Sequence, residues 1–247
     1  MKKSVLNDRL VLNYAKTYLV SYYKKNNFSK TLIEKNVKFN LDGVRREANI
    51  GEKIMPFIGK DNLKVLDFGC GSGLVSYGLS KVLGGSITGV DTDNEMIRIS
   101  KRWLKRSKIN NIHFINMDVR RFDERFDLIV CTDVLEHVSD RRKCLNILYE
   151  HLNPNGLLYL KTTNRLCAYN FLFDNHYMIP FVSVLEKNLR NKITSFILGK
   201  RTDDVVDYSV KWELEDQFHN VGFQIVKDFR PFNHFLMAHE YLVEKAN

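Results

Sequence analysis

From residue 64 onward the chain alternates short β-branched and aliphatic runs with longer segments whose apolar residues recur every three or four positions. The short runs are VLDF (65–68), SITGV (86–90), IHFIN (112–116), FDLIVC (126–131) and GLLYLKT (156–162). Between them the apolar positions follow a helical repeat, as in Met96, Ile97, Ile99, Trp103 and Leu104. Apolar strands separated by helix-length connections predict an α/β fold, a parallel sheet with helices on both faces. Right-handed crossovers then put the loops that follow the strands along one edge.

The first 60 residues read as a helical extension of the same domain, which then runs over 61–247. Leu6, Leu10, Leu12, Tyr18, Leu19 and Tyr22 form one apolar stripe, and Ile50, Ile54, Phe57 and Ile58 a second. The polar stretch 26–43 between them reads as loop-rich. Residues 165–201 are too long for a simple connection and are rich in Phe, Tyr and Leu, which predicts a lid inserted after the fifth strand. A helix over 212–221, stopped by Gly222, leads into FQIVKDF (223–229) and FLMAHEYLV (235–243), two strands joined around 231–234 as an antiparallel hairpin.

Composition narrows the class. A chain of 247 residues, 44% hydrophobic and 12% aromatic, has enough apolar material for a substantial core, which excludes a disordered or collagen-like protein. The net charge is +9, and residues 1–60 hold 13 basic against 5 acidic side chains. That surplus admits an anionic partner, with a solvated basic surface as the plainer reading. Four cysteines without metal-like spacing predict reduced thiols in a cytoplasmic protein. Asn7, Asp8 and Arg9 interrupt any signal-peptide core, and Asn170, Asn175, His176 and Pro180 break the weakly charged run 166–185, so no transmembrane segment is expected.

The strongest chemical signal is VLDFGCGSGL (65–74), a buried strand that breaks into three glycines before a helix. Glycines permit a tight turn and close approach of a ligand to the backbone, and the helix behind them offers free N–H groups. Leu74 stands where a nicotinamide fingerprint needs its third glycine. The second strand ends in Asp91, placed to accept the two hydroxyls of a ribose. The third runs into Asp118 and Val119, a carboxylate and an apolar residue suited to the amine and face of an adenine.

On these residues the chain resembles the class I S-adenosylmethionine-dependent methyltransferases, well over about 45–165 and again at the C-terminal hairpin. The resemblance implies a Rossmann-like seven-stranded sheet, mostly parallel, with S-adenosylmethionine as cofactor. It also implies a binding set of Asp67, Gly69, Gly71 and Gly73 in the loop, Asp91 and Thr92 at the ribose, Met96, Asp118 and Val119 at the adenine, and Val134 after the fourth strand. Met96 has helix core as its alternative. Arg46 matches by position an arginine that pairs with the cofactor carboxylate.

A finer resemblance lies at TDVLEHV (132–138), which is similar to the D/E-x-x-E-H signature of the ubiquinone-biosynthesis O-methyltransferases, although Asp133 stands for the usual glutamate. It implies either Mg²⁺ or Mn²⁺ held by Asp133, Glu136 and His137, lowering the pKa of an acceptor hydroxyl, or His137 alone as general base. Glu136 and His137 are catalytic candidates on both readings, and His176 in the insertion is a second candidate base or ligand. TTNR (162–165) is similar to the same enzymes.

The expected activity is transfer of a methyl group to a hydroxyl oxygen of a small molecule. Two alternatives stand beside it: methylation of RNA, for which Tyr14, Tyr18, Tyr22, Tyr23 and Phe28 interleave with lysines, and N-methylation of a small molecule. The insertion carries six basic against two acidic residues, which admits an anionic or membrane-partitioned acceptor and peripheral membrane contact.

Overall fold

A computed structural model describes residues 2–118, 123–167, 179–198, 207–230 and 238–245. Its backbone falls into two compact units, Met1–Phe126 and Asp127–Asn247.

In the first unit, β1 (Leu63–Phe68), β2 (Gly85–Asp91) and β3 (Ile112–Asn116) pair in parallel, Val65 beside Ile87 and Ile87 beside Ile112. All three of those side chains are buried, as continuous apolar strands covered on both faces require. Helices α3 (Leu74–Leu79) and α4 (Asn94–Ser107) connect them. Asp93 starts α4 by accepting the N–H groups of Glu95 and Met96, and Ile97, Ile99 and Trp103 bury its inner face.

The N-terminal region differs from the expectation in two ways. Helix α1 (Lys2–Lys25) buries Val11, Ala15, Leu19 and Tyr23, a stripe at every fourth residue, and leaves Leu10 at 41% exposure. The stretch 26–43 is helical from Lys30 on, because Ser29 caps α2 (Lys30–Ile54) and Ile33, Val37 and Val44 give it a sparse buried face. Polar residues crowd the other positions of α2, and they hide that face from a reading by composition. Gly51 lets α2 approach the chain after α3, since a Cβ there would lie 2.9 Å from the Cβ of Val82.

In the second unit, β4 (Phe126–Thr132) is followed by α5 (Arg141–Glu150) and β5 (Leu152–Thr163). Next come α6 (Lys187–Leu198), α7 (Lys211–Val221), β6 (Phe223–Asp228) and β7 (Ala238–Lys245). β7 runs antiparallel to both β5 and β6, with Leu160 beside Tyr241 and Ile225 beside Val243. Gly222 ends α7 in the left-handed conformation, as its position after the helix predicts. The seven strands form one mostly parallel sheet in the order β3-β2-β1-β4-β5-β7-β6. The sheet and its antiparallel closing pair agree with the fold read from the sequence. The hairpin turn at 231–234 lies outside the described residues. No described helix is long and apolar enough to cross a membrane, and all four cysteines are buried and outside any disulfide.

Candidate functional site

The loop after β1 is built by positive backbone angles at Gly69, Gly71 and Gly73, with φ of 73°, 50° and 79°. Gly73 is required by packing as well, because a Cβ there would lie 2.4 Å from the ring of Phe114. Gly71 differs. Among the described residues nothing lies within 4 Å of the place a Cβ would take, so they leave the loop open there.

The backbone of the loop is tied to the end of β2. The N–H groups of Gly69 and Cys70 donate to the Val90 carbonyl at 2.9 and 3.0 Å, and that of Gly71 donates to Asp91 Oδ2 at 2.7 Å. The other oxygen of Asp91 accepts the Asp93 N–H at 2.8 Å. Each carboxylate oxygen carries two lone pairs, so Asp91, half-buried, retains acceptor capacity toward a ligand. Asn116 donates to the carbonyls of Asp91 and Thr92, which fixes the turn that presents them. Thr92 is exposed, and Met96 and Asp118 are half-buried at the same edge.

Asp67 is placed differently. It is buried and accepts the Ser76 hydroxyl at 2.5 Å. Burial pushes its carboxyl up to about 7, the Asp91 charge adds to the rise, and the Ser76 hydroxyl opposes it. Val119 and His176 lie outside the described residues, as does the side chain of Arg46.

In the second unit the functional edge begins where β4 ends. Asp133 adopts φ 55°, a left-handed conformation that aspartate tolerates better than most residues. Its N–H donates to the Lys161 carbonyl at 3.0 Å, and its carboxylate pairs with Lys161 Nζ at 3.3 Å. Val134, half-buried, leads into a short 3₁₀ turn, Leu135–His137, which leaves the His137 ring exposed. Glu136 is 1% exposed, and its two oxygens accept the hydroxyls of Thr162 and Thr163 at 2.9 and 2.8 Å.

These positions correct the metal expectation. Among the described residues no three acidic, histidine or cysteine side chains gather to hold a cation. Asp133 is committed to an ammonium, and Glu136 is buried with both oxygens engaged, so this donor set does not fit Mg²⁺.

Sequence reasoning missed several residues of this edge. The Glu136 carbonyl accepts the Asp207 N–H at 2.7 Å, and Arg141 pairs with Asp207 at 2.8 Å. Asn164 bridges to Ser209, and Arg165 pairs with Glu213. The arm that returns from the insertion is therefore sewn to β5 and the 3₁₀ turn. Only the TTNR run signalled this, and it named one side of the seam.

A family model described as "Methyltransferase domain" matches residues 41–228. A ubiquinone biosynthesis O-methyltransferase of Hydrogenovibrio crunogenus is 31% identical over 117 residues, covering 46% of this chain and 48% of the relative. One from Coxiella burnetii is 36% identical over 103 residues, covering 41% and 44%. The chain thus spans about half the length of the curated relatives it matches. A solved S-adenosylmethionine-dependent methyltransferase from Clostridium acetobutylicum superposes with a TM-score of 0.64 at 15% identity, covering 92% of this chain and all of that one, a likeness of fold. Because the family model spans well over half of the 247 residues, the chain belongs to the methyltransferase domain family.

Proposed function

We propose that the chain transfers a methyl group from S-adenosylmethionine to a hydroxyl oxygen of a small molecule. The observation that carries this reading is the Gly71 turn, open to a ligand and hydrogen-bonded to the Asp91 carboxylate. When bound, the cofactor supplies an electrophilic methyl group on a sulfonium. Asp91 accepts the ribose hydroxyls with its remaining lone pairs, and the glycine loop lets the methionine portion approach the backbone. Thr92, Met96, Asp118 and Val119 receive the adenosine, Val134 lines the site, and Arg46 pairs with the cofactor carboxylate.

The acceptor belongs to the edge that carries His137. Its exposed imidazole takes the hydroxyl proton on a ring nitrogen as the oxygen attacks, and the protein's main contribution is alignment of the two reactants. The O-methyltransferase names of the relatives support a hydroxyl acceptor. On α6, Leu189, Phe196 and Ile197 are exposed beside Lys192, which supports an anionic or membrane-partitioned acceptor for a cytoplasmic enzyme with peripheral membrane contact. We read 1–60 as an extension of the domain 61–247, and 165–201 as its lid. Methylation of RNA is less well supported: Tyr14 and Tyr18 lie against Arg106 and Arg102, and the Tyr22 hydroxyl is bonded to Asp93.

Calorimetric titration of S-adenosylhomocysteine tests the cofactor, and labelled methyl transfer to catechols, amines and RNA tests the acceptor. Asp91→Ala should abolish the binding heat. His137→Ala should retain it and lose roughly a hundredfold or more in turnover on the hydroxyl acceptor. Absence of binding to the wild-type chain would overturn the reading.

A further inference from the structure

The chemistry assigned above uses almost nothing of the N-terminal helices, yet α1 and α2 bond to both turns that build the cofactor half of the site. From α1, the Tyr22 hydroxyl donates to Asp93 Oδ2 at 2.9 Å. From α2, Asn40 Oδ1 accepts the Ser72 hydroxyl at 2.8 Å, inside the glycine loop. The partners in each pair lie 71 and 32 residues apart in sequence.

Followed through the site, these bonds close on themselves. Tyr22 holds the Asp93 side chain, whose other oxygen accepts the first N–H groups of α4, and the Asp93 N–H donates to Asp91. Asp91 accepts the Gly71 N–H, the next residue Ser72 donates to Asn40, and Asn40 Nδ2 donates to the Tyr23 hydroxyl at 3.4 Å. The circuit starts and ends on neighbouring residues of α1, and the carboxylate at its centre is Asp91. Burial and the Asp93 carboxylate both raise the Tyr22 hydroxyl above its ordinary range, so it remains a donor at every working pH.

We propose that α1 and α2 are a working part of the cofactor site, with Tyr22 and Asn40 as positioning residues that hold Asp91 and the glycine loop in the geometry a ribose needs. This rests on the cofactor reading above. A carboxylate held from both sides before the ligand arrives costs less to order on binding. The circuit is separable from the docking of the helix. The Arg106 guanidinium lies over the Tyr14 ring at 4.5 Å and donates to the Tyr18 hydroxyl at 2.9 Å, contacts that hold α1 on α4 one to two turns away from Tyr22.

The test is calorimetric titration of S-adenosylhomocysteine into the full chain, with a thermal melt of each variant. Tyr22→Phe and Asn40→Ala should each weaken binding about fivefold. The double variant should lose less than the product of the two, because either change already opens the circuit. Arg106→Ala should melt lower and bind like the wild type. Single variants that bind within about twofold of wild type would overturn the inference. So would losses that multiply, or an equal loss in Arg106→Ala, which would assign the effect to docking alone. A wild-type chain that binds nothing would instead overturn the cofactor reading on which the inference stands.

Discussion

At the scale of single residues, Asp67 shows how one letter of a motif serves a task its motif does not announce. It sits beneath the glycine loop with its carboxyl raised to about 7, chiefly by desolvation. The folded chain therefore keeps this proton to higher pH than the unfolded chain, whose exposed carboxyl titrates near 3.8. Folding stability consequently falls as pH rises from about 4 through about 7 and levels off above, by a few kcal/mol at most. Asp67→Asn stays neutral throughout and should lose this slope. Its melting temperature relative to wild type should rise by several degrees, roughly, from pH 5 to pH 8, and parallel profiles for the two proteins would contradict the assignment. The glycine spacing and Asp91 were legible in the sequence because their task is local: a strand must turn, and a carboxylate must stand at its end. Tyr22, Asn40 and Asn116 were illegible, since each acts on a turn distant in the chain.

At the scale of elements, the edge formed by β4, the 3₁₀ turn and β5 is held by Glu136. Its carboxylate joins two threonines of β5, and its carbonyl receives the arm that returns from the insertion. Glu136→Ala would leave two buried hydroxyls without their acceptor and should cost about 2–4 kcal/mol. A melt should therefore shift down by roughly 4–16 °C, while affinity for S-adenosylhomocysteine, proposed above to rest mainly on Asp91 and the glycine loop, stays at the wild-type value. Mg²⁺ should leave the wild-type melt unchanged. A Mg²⁺-dependent rise that disappears in Glu136→Ala would restore the metal reading. The E-H-V run drew attention to this edge in sequence but not to the partners of its glutamate, because a carboxylate that binds a cation and one that binds two hydroxyls are spelled alike. Helix α2 shows the same limit. Among its described side chains the buried face comprises three widely spaced residues before Ile50, too sparse to outweigh the surrounding lysines and asparagines in a linear reading.

At the scale of the whole molecule, the net charge of +9 is a property of surface helices more than of a built site. On α4 alone Arg98, Lys101, Arg102, Lys105 and Arg106 are exposed. Such a surface attracts polyanions without aligning them, so a labelled single-stranded RNA should bind weakly and be released between about 50 and 200 mM salt. Fluorescence anisotropy measures this, and salt-resistant binding would favour an RNA substrate. The sequence by itself determined the alternation of strands and helices, the glycine loop and the acidic ends of β1 and β2, because hydrophobic period and turn chemistry act over a few residues. Only the tertiary structure decided that α1 and α2 bond to the turns after β2 and β1, that Glu136 is spent on threonines and that Asp133 faces a lysine. Those outcomes depend on which distant side chain arrives to satisfy a buried donor or acceptor, and a linear pattern does not encode that meeting.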